Sequence, residues 1–187
     1  MTPRENILTT AARLFQLKGY SATGLNEIIA ESGAPKGSLY YYFPKGKLQL
    51  AVESVDYAGN LINGRVAARL EEQTDPVKAF QLVIRDIIGH FQDRNSDFED
   101  VSLSMIALEA SGEADGLRHA CQTIFERRET LFVDKLSASG FAKQEARRLG
   151  ELMQVLIEGA IVATRTRNDP AALVSVSRWI PQLLGKP

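Results

Sequence analysis

Apolar residues recur along this chain every three or four positions, which is the repeat of an amphipathic α-helix. In the first segment, Ile7, Ala11, Leu14 and Phe15 fall on one face of such a helix. No segment shows the sustained two-residue alternation of a β-strand. The pattern therefore predicts an all-α fold of about nine helices for the 187 residues.

Residues that start and stop helices divide the first part of the chain into three. Thr2 and Glu5 form a capping-box pattern around Pro3, and Thr23 is a suitable N-cap for a second helix. Gly19 and Gly33 are placed to end the first two helices. Three helices are predicted, over about 3–18, 23–33 and 36–43, and the tight turn between the last two indicates helix-turn-helix organisation.

Further amphipathic segments follow the break at 44–46. They predict helices over about 47–73, 76–91, 101–110, 114–137, 143–167 and 170–184. We expect a helix-turn-helix domain over residues 1–46 and a larger helical domain over residues 47–187.

The third predicted helix is a poor design for stability and a good one for docking. Leu39 and Phe43 lie one turn apart and form its core side, whereas neighbouring positions differ by about 100° around the axis. The three consecutive tyrosines therefore cannot all be buried, and the helix presents Lys, Gly, Ser and Tyr side chains outward. These residue types suit phosphate and base contacts in a major groove.

Charge supports this end of the chain as the nucleic-acid surface. Residues 1–50 have a net charge of +3, whereas the remainder has −4. The predicted DNA contacts, with a hydroxyl, a backbone amide or a cation at each, are Thr23, Lys36, Gly37, Ser38, Tyr40, Tyr41, Tyr42 and Lys47. An ordinary three-helix subdomain with an aromatic edge is the alternative that periodicity alone leaves open.

The run Gly33-Ala34-Pro35-Lys36-Gly37-Ser38-Leu39-Tyr40-Tyr41-Tyr42-Phe43 resembles the N-terminal domain of TetR-family transcriptional repressors. The resemblance covers about residues 4–52 and rests on a Gly-x-x-x-Gly-Ser-Leu-Tyr-x-x-Phe pattern. The following Phe-Pro-x-Gly-Lys spacing and the later Glu-Gly-Ala at 158–160 resemble the LmrA/YxaF-like branch. Two positions depart from the family, since Pro35 replaces a frequent Ser or Thr and Tyr42 a frequent His.

The resemblance implies a homodimer that binds a near-palindromic operator on double-stranded DNA and leaves it when a small molecule enters the second domain. Residues 143–184 offer two broad apolar helix faces that suit a four-helix dimer interface, although they also suit the core of one chain. The effector is expected to be apolar or aromatic. Its candidate lining residues, which also fit an ordinary core, are Phe91, Phe98, Met105, Phe125, Met153 and Trp179.

Other classes of protein receive little support from the composition. No apolar run is long enough to span a membrane or to act as a secretion signal, so a cytoplasmic protein is expected. One cysteine, Cys121, and two histidines give no disulfide, no metal site, no recognisable cofactor site and no catalytic constellation. The chain is therefore expected not to be an enzyme. A helical small-molecule-binding or adaptor protein without DNA contact is the remaining alternative.

Overall fold

The computed structural model of the chain describes residues 2–93, 106 and 115–185. Eight α-helices and no strand lie within these residues, which confirms the all-α prediction. The predicted helix at 101–110 lies outside the described residues except for Ile106, which is helical and buried. The helices are α1 (Pro3–Lys18), α2 (Leu25–Ser32), α3 (Lys36–Tyr42), α4 (Lys47–Glu71), α5 (Pro76–Gln92), α6 (Asp115–Ala138), α7 (Lys143–Arg167) and α8 (Ala171–Leu184).

The first helix begins and ends as its sequence predicts. The Thr2 hydroxyl accepts a hydrogen bond from the Glu5 backbone N–H at 3.2 Å, and the Glu5 carboxylate accepts one from the Thr2 N–H at 2.7 Å. The bond from the Thr2 N–H lowers the pKa of Glu5. At the other end, Gly19 has φ of +85°, which few residues with a side chain adopt. The capping box therefore fixes where the first domain starts.

The predicted N-cap of the second helix is wrong. Gly24 is the N-cap of α2, and Thr23 lies one residue before it. The Thr23 hydroxyl points back to α1, where it donates to the Leu14 carbonyl at 3.1 Å and to the Gly19 carbonyl at 2.7 Å. This buried hydroxyl bonds back to carbonyls at the end of α1, and so it closes the α1–α2 corner rather than starting α2.

The described residues form two compact units. The first contains residues 2–61, 106 and 115–124, and the second contains residues 62–93 and 125–185. In the first unit, α1, α2 and α3 pack together with the first half of α4. Its fully buried large side chains include Ile7, Leu8, Leu14, Phe15, Ile28, Leu39, Phe43 and Leu50.

The second unit has its own hydrophobic core, in which α8 packs against α5 and α7. The Phe80 and Phe132 rings meet edge to face at its centre, with centroids 5.1 Å apart. Helices α6 and α7 approach closely at Gly150, where a Cβ atom would lie 2.6 Å from the Val133 side chain. None of the described helices is long and apolar enough to cross a membrane. The functional boundary at residues 46 and 47 stays a prediction.

Candidate DNA-binding surface and partner groove

Helix α3 is anchored by a small number of fully buried side chains. Gly33 ends α2 in the left-handed conformation, with φ of +63°, and Pro35 then precedes α3. Leu39 and Phe43, the two predicted core residues, are fully buried. Because α3 has seven residues, with one anchor inside it and one just after its end, most of its surface remains available to a partner.

The outward face of α3 carries the residues predicted for DNA. Lys36 and Gly37 are exposed, Ser38 is half-buried, and Tyr40 is exposed. Tyr41 is 79% exposed, which is unusual for a large aromatic side chain with no function at the surface. Six of the predicted contacts lie on this short helix, and five of them are on its outward face.

Tyr42 has a different environment from its two neighbours. Tyr42 is half-buried, and its ring meets the rings of Tyr41 and Phe43 at steep angles, with centroid distances of 5.0 and 6.4 Å. The Gln49 side-chain amide donates to the Tyr42 carbonyl at 3.5 Å. Tyr42 therefore packs the base of the aromatic face and ties the end of α3 to α4.

Gly37 is not needed by the folded chain itself. Its φ lies outside the range that favours glycine, and a Cβ atom built on it meets nothing within 4 Å. A glycine inside a helix costs about 1 kcal/mol relative to alanine. Neither the backbone conformation nor packing of the folded chain requires glycine at this position.

Most cations of the first unit are already paired. Arg13 forms an ion pair with Glu31, Lys18 forms one with Glu27, and Arg4 lies 2.5 Å from Glu53. Among the described residues, Lys36 has no acidic partner. Its charge is therefore available to a phosphate.

Lys47 and Thr23 are less available than the sequence suggested. The Lys47 ammonium donates to the Ser21 carbonyl at 3.2 Å and lies 4.6 Å from the centre of the Tyr20 ring. It is half-buried, and it steadies the α1–α2 corner from α4. The Thr23 hydroxyl is 1% exposed and donates only into the protein, so it is not presented to a phosphate.

The second unit has an apolar groove between α7 and α8. Its volume is about 700 Å³, and it is lined by side chains from both helices. Val155 is 63% exposed and Trp179 is 61% exposed, although both are apolar. Further lining residues are Leu152, Leu156, Gly159, Val176 and Leu183. The groove therefore leaves large apolar side chains exposed side by side, a feature that is common at interaction sites.

The predicted effector residues do not share one environment. Met153 is fully buried in the core, Trp179 lines the exposed groove, and Phe91 and Phe125 are half-buried. Phe98 and Met105 lie outside the described residues. Met153 therefore has the role of an ordinary core residue, and Trp179 faces outward rather than into an enclosed cavity.

A buried polar cluster was missed by the sequence reasoning. Arg128 lies on α6, where its Nε donates to the Asn63 side-chain oxygen at 2.9 Å and its Nη1 donates to a Glu158 carboxylate oxygen at 2.6 Å. A signal was present, because Arg128 continues the four-residue spacing of Ile124 and Phe132 and so occupies a position in an apolar stripe.

Cys121 and His90 fit structural roles. Burial raises the pKa of the Cys121 thiol to about 11, and the Asp56 charge contributes to the rise. The His90 ring contacts the Arg65 guanidinium at 2.6 Å and the Asp86 carbonyl at 2.8 Å. Within the described ranges, no group of three or more His, Cys, Asp or Glu side chains could hold a metal ion.

Family comparisons match the chain at both ends. The model of the bacterial regulatory proteins of the tetR family matches residues 7–53, which include α2 and α3. The model of the C-terminal domain of LmrA/YxaF-like transcriptional regulators matches residues 76–179. This chain belongs to the TetR family. Its second domain is of the LmrA/YxaF-like kind, and the chain is a transcriptional regulator of a family that is not known for enzymes.

Relatives of this TetR-family chain match it over nearly its whole length. The HTH-type transcriptional regulator YxaF of Bacillus subtilis is 43% identical over 98% of this chain and 95% of its own. The HTH-type transcriptional regulator LmrA of the same organism is 39% identical over 97% of this chain and 96% of its own length. The crystal structure of reduced E. coli NemR shares the fold, with a TM-score of 0.83 at 19% identity over 99% of this chain and 98% of that one.

Proposed function

We propose that this regulator is a homodimeric repressor, which binds a near-palindromic DNA operator and leaves it when an apolar or aromatic small molecule binds. The observation that carries the proposal is the outward face of α3. It combines an exposed lysine, a glycine that the fold does not need and two exposed tyrosines. A regulator of bacterial DNA acts in the cytoplasm.

The proposed contacts follow from the position of each group. The Lys36 ammonium binds a phosphate, while Gly37 allows the α3 backbone to come close to the duplex. The Ser38 and Tyr40 hydroxyls donate to phosphate oxygens, and the Tyr41 ring packs on a thymine methyl group. Because Tyr42 and Lys47 are half-buried, we assign them mainly to holding α3 and the α1–α2 corner, and Thr23 is left out.

The second copy of the chain is proposed to cover the groove between α7 and α8, within residues 143–184. Leaving Val155 and Trp179 in water is unfavourable, since each buried Å² of apolar surface contributes about 25 cal/mol. A two-fold axis places the same apolar patch of both copies against each other and yields a four-helix interface. Such symmetry also explains why the operator has two related half-sites.

Release by an effector is proposed to act on α4. This helix begins four residues after Phe43 and continues without interruption to Glu71 in the second unit. A ligand changes operator affinity only as far as it binds one arrangement of the dimer better than the other. Phe91 and Phe125, which are half-buried in the second unit, remain the candidate contacts for it.

In vitro selection tests the proposal. The full-length protein is incubated with random duplexes, and bound sequences are amplified over several rounds. We expect an inverted repeat with half-sites about 34–36 Å apart, or a multiple of that distance. If no sequence is enriched, the chain is better described by the alternative, a helical ligand-binding or adaptor protein. Addition of apolar and aromatic compounds to the complex then tests release.

A further inference from the structure

One arginine joins three helices of the second unit. Arg128 is 6% exposed, and its guanidinium binds Asn63 of α4 through Nε and Glu158 of α7 through Nη1. The guanidinium carbon also lies 5.8 Å from the centre of the Phe125 ring on its own helix. Because the guanidinium is planar and its N–H groups have fixed directions, the two bonds fix the positions of both partners.

Stability alone does not explain why Arg128, Asn63 and Glu158 form a buried polar cluster. Removing two charges from water is costly, and apolar side chains of similar volume often serve a core as well as a buried ion pair. Arg128 stands where an apolar residue would continue the stripe of Ile124 and Phe132. What the ion pair adds is direction, because apolar contacts allow helices to slide whereas two hydrogen bonds in one plane do not.

The two helices that Arg128 joins are the ones that matter for operator binding. In the first unit, α4 holds the end of α3, since Gln49 accepts from the Lys45 N–H at 2.9 Å and donates to the Tyr42 carbonyl. In the second unit, Glu158 lies on α7 between Val155 and Gly159, which line the exposed groove. Asn63 and Glu158 are thus the points where Arg128 links α4 to the groove helix.

We infer that Arg128 is a positioning residue that locks α4 to α7, and that it makes the dimer specific for one spacing between half-sites. The inference rests on the proposed function, in which the groove joins two copies and α3 reads DNA. Each base pair inserted between half-sites moves them by about 3.4 Å and rotates one by about 35°. A rigid α4 cannot follow that change, whereas an α4 released from Arg128 can.

The test measures affinity for duplexes in which the selected half-sites are separated by the selected spacer or by one base pair more or less. The wild type is expected to prefer one spacer over its neighbours by about tenfold or more. The variant Asn63→Leu keeps the branched shape of the side chain and leaves Arg128 and Glu158 in place, but it removes the bond from Arg128 to α4. We expect its preference to fall to about threefold or less.

A matched control separates positioning from general loosening. Gln81 of α5 donates to the Ser177 carbonyl of α8 at 3.1 Å in the same unit, so Gln81→Leu loses a comparable bond between other helices. We expect this variant to keep the wild-type spacer preference. Circular dichroism at the assay temperature ensures that all variants compared are folded.

Two results would overturn the inference. One is a wild-type spacer preference in folded Asn63→Leu, and the other is an equal broadening in Gln81→Leu. If Asn63→Leu does not fold, Arg128→Lys serves instead, because a single ammonium does not reproduce the planar fork that binds both partners. Retention of the wild-type preference in Arg128→Lys contradicts the inference as well. If the wild type binds no pair of half-sites at all, the proposed function fails first.

Discussion

At the scale of single residues, Gly37 separates what the fold needs from what a partner needs. Replacing Gly37 with alanine should stabilise the folded protein by up to about 1 kcal/mol, because alanine favours the helix and the new methyl group meets no neighbour. Affinity for the operator should fall, since the same methyl group enters the space between α3 and the duplex. Urea unfolding and fluorescence anisotropy measure the two effects.

Gly64 of α4 supplies the control for that prediction. It also lies inside a helix, and a methyl group added there would meet nothing within 4 Å, but it is far along the chain from α3. Gly64→Ala should raise stability and leave operator affinity unchanged. Equal affinity of Gly37→Ala and the wild type would show that the backbone of α3 does not come close to DNA.

The charge of Lys36 leads to a prediction about how DNA affinity depends on salt concentration. Lys36→Ala should weaken binding to every duplex, because a phosphate contact carries no sequence information. With one Lys36 in each copy, the slope of log K against log salt concentration should become shallower by about 1.8. Lys78, an exposed lysine at the start of α5, is the control, and Lys78→Ala should retain the wild-type slope. A Lys36→Ala slope equal to the wild-type slope would remove Lys36 from the interface.

The reactivity of the Cys121 thiol tests whether this side chain is buried inside the first unit. Because burial raises the pKa of the thiol from 9.0 to about 11, the thiolate fraction at pH 8 is about a hundredfold lower than in the unfolded chain. Reaction with dithiobisnitrobenzoate should therefore be slower by about that factor or more in native protein than in denaturant. The chain has one cysteine, so the signal has one source. Comparable rates would mean that the thiol is accessible.

At the scale of helices, the groove between α7 and α8 makes a prediction about assembly. Val155→Glu places a charge in the centre of the proposed interface and faces it with its own symmetry mate, so the dimer should dissociate. Sedimentation at micromolar concentration should then show monomers where the wild type shows dimers. Leu61→Glu, at another exposed apolar position, should remain dimeric. A dimeric Val155→Glu protein would place the interface elsewhere.

Most helices of this chain could be predicted from sequence because their signals are local. The capping box at Thr2, the terminating glycines at 19 and 33, and the apolar spacing of Leu39 and Phe43 all depend on neighbours within one turn. The Thr23 prediction failed because a hydroxyl can bond forward to an N–H or back to a carbonyl. The choice depends on the fold, which places the carbonyls at the end of α1 beside the Thr23 hydroxyl.

The side chains that act between helices were harder to predict. The pairing of Arg128 with Asn63 spans 65 residues, and no local pattern indicates which partner a buried arginine has. Trp179 carries an apolar side chain at helical spacing, and this pattern is the same for a core residue and for one at an interface between chains. The sequence therefore indicated that Arg128 and Trp179 lie on the apolar faces of their helices. The structure shows that Arg128 is buried and that Trp179 remains exposed.

At the scale of the whole molecule, the proposed function needs a DNA-reading face, a dimer groove and a ligand-sensing interior in one chain. Charge is divided accordingly, with a positive first quarter and a negative remainder. Each of these roles can be disproved separately. Monomers in solution would contradict the dimer, absence of release would contradict the sensing role, and a weak spacer preference would contradict the positioning role of Arg128. Sequence-specific binding of DNA through α3 is the central claim on which the others depend.

Sequence-specific binding can be measured by comparing two duplexes. The dissociation constants of the wild-type protein for its selected operator and for a scrambled duplex of the same composition are determined at about 150 mM salt. The account predicts a preference of about a thousandfold or more for the operator, and a large loss of that preference in Tyr41→Ala. Equal affinity for both duplexes would contradict it.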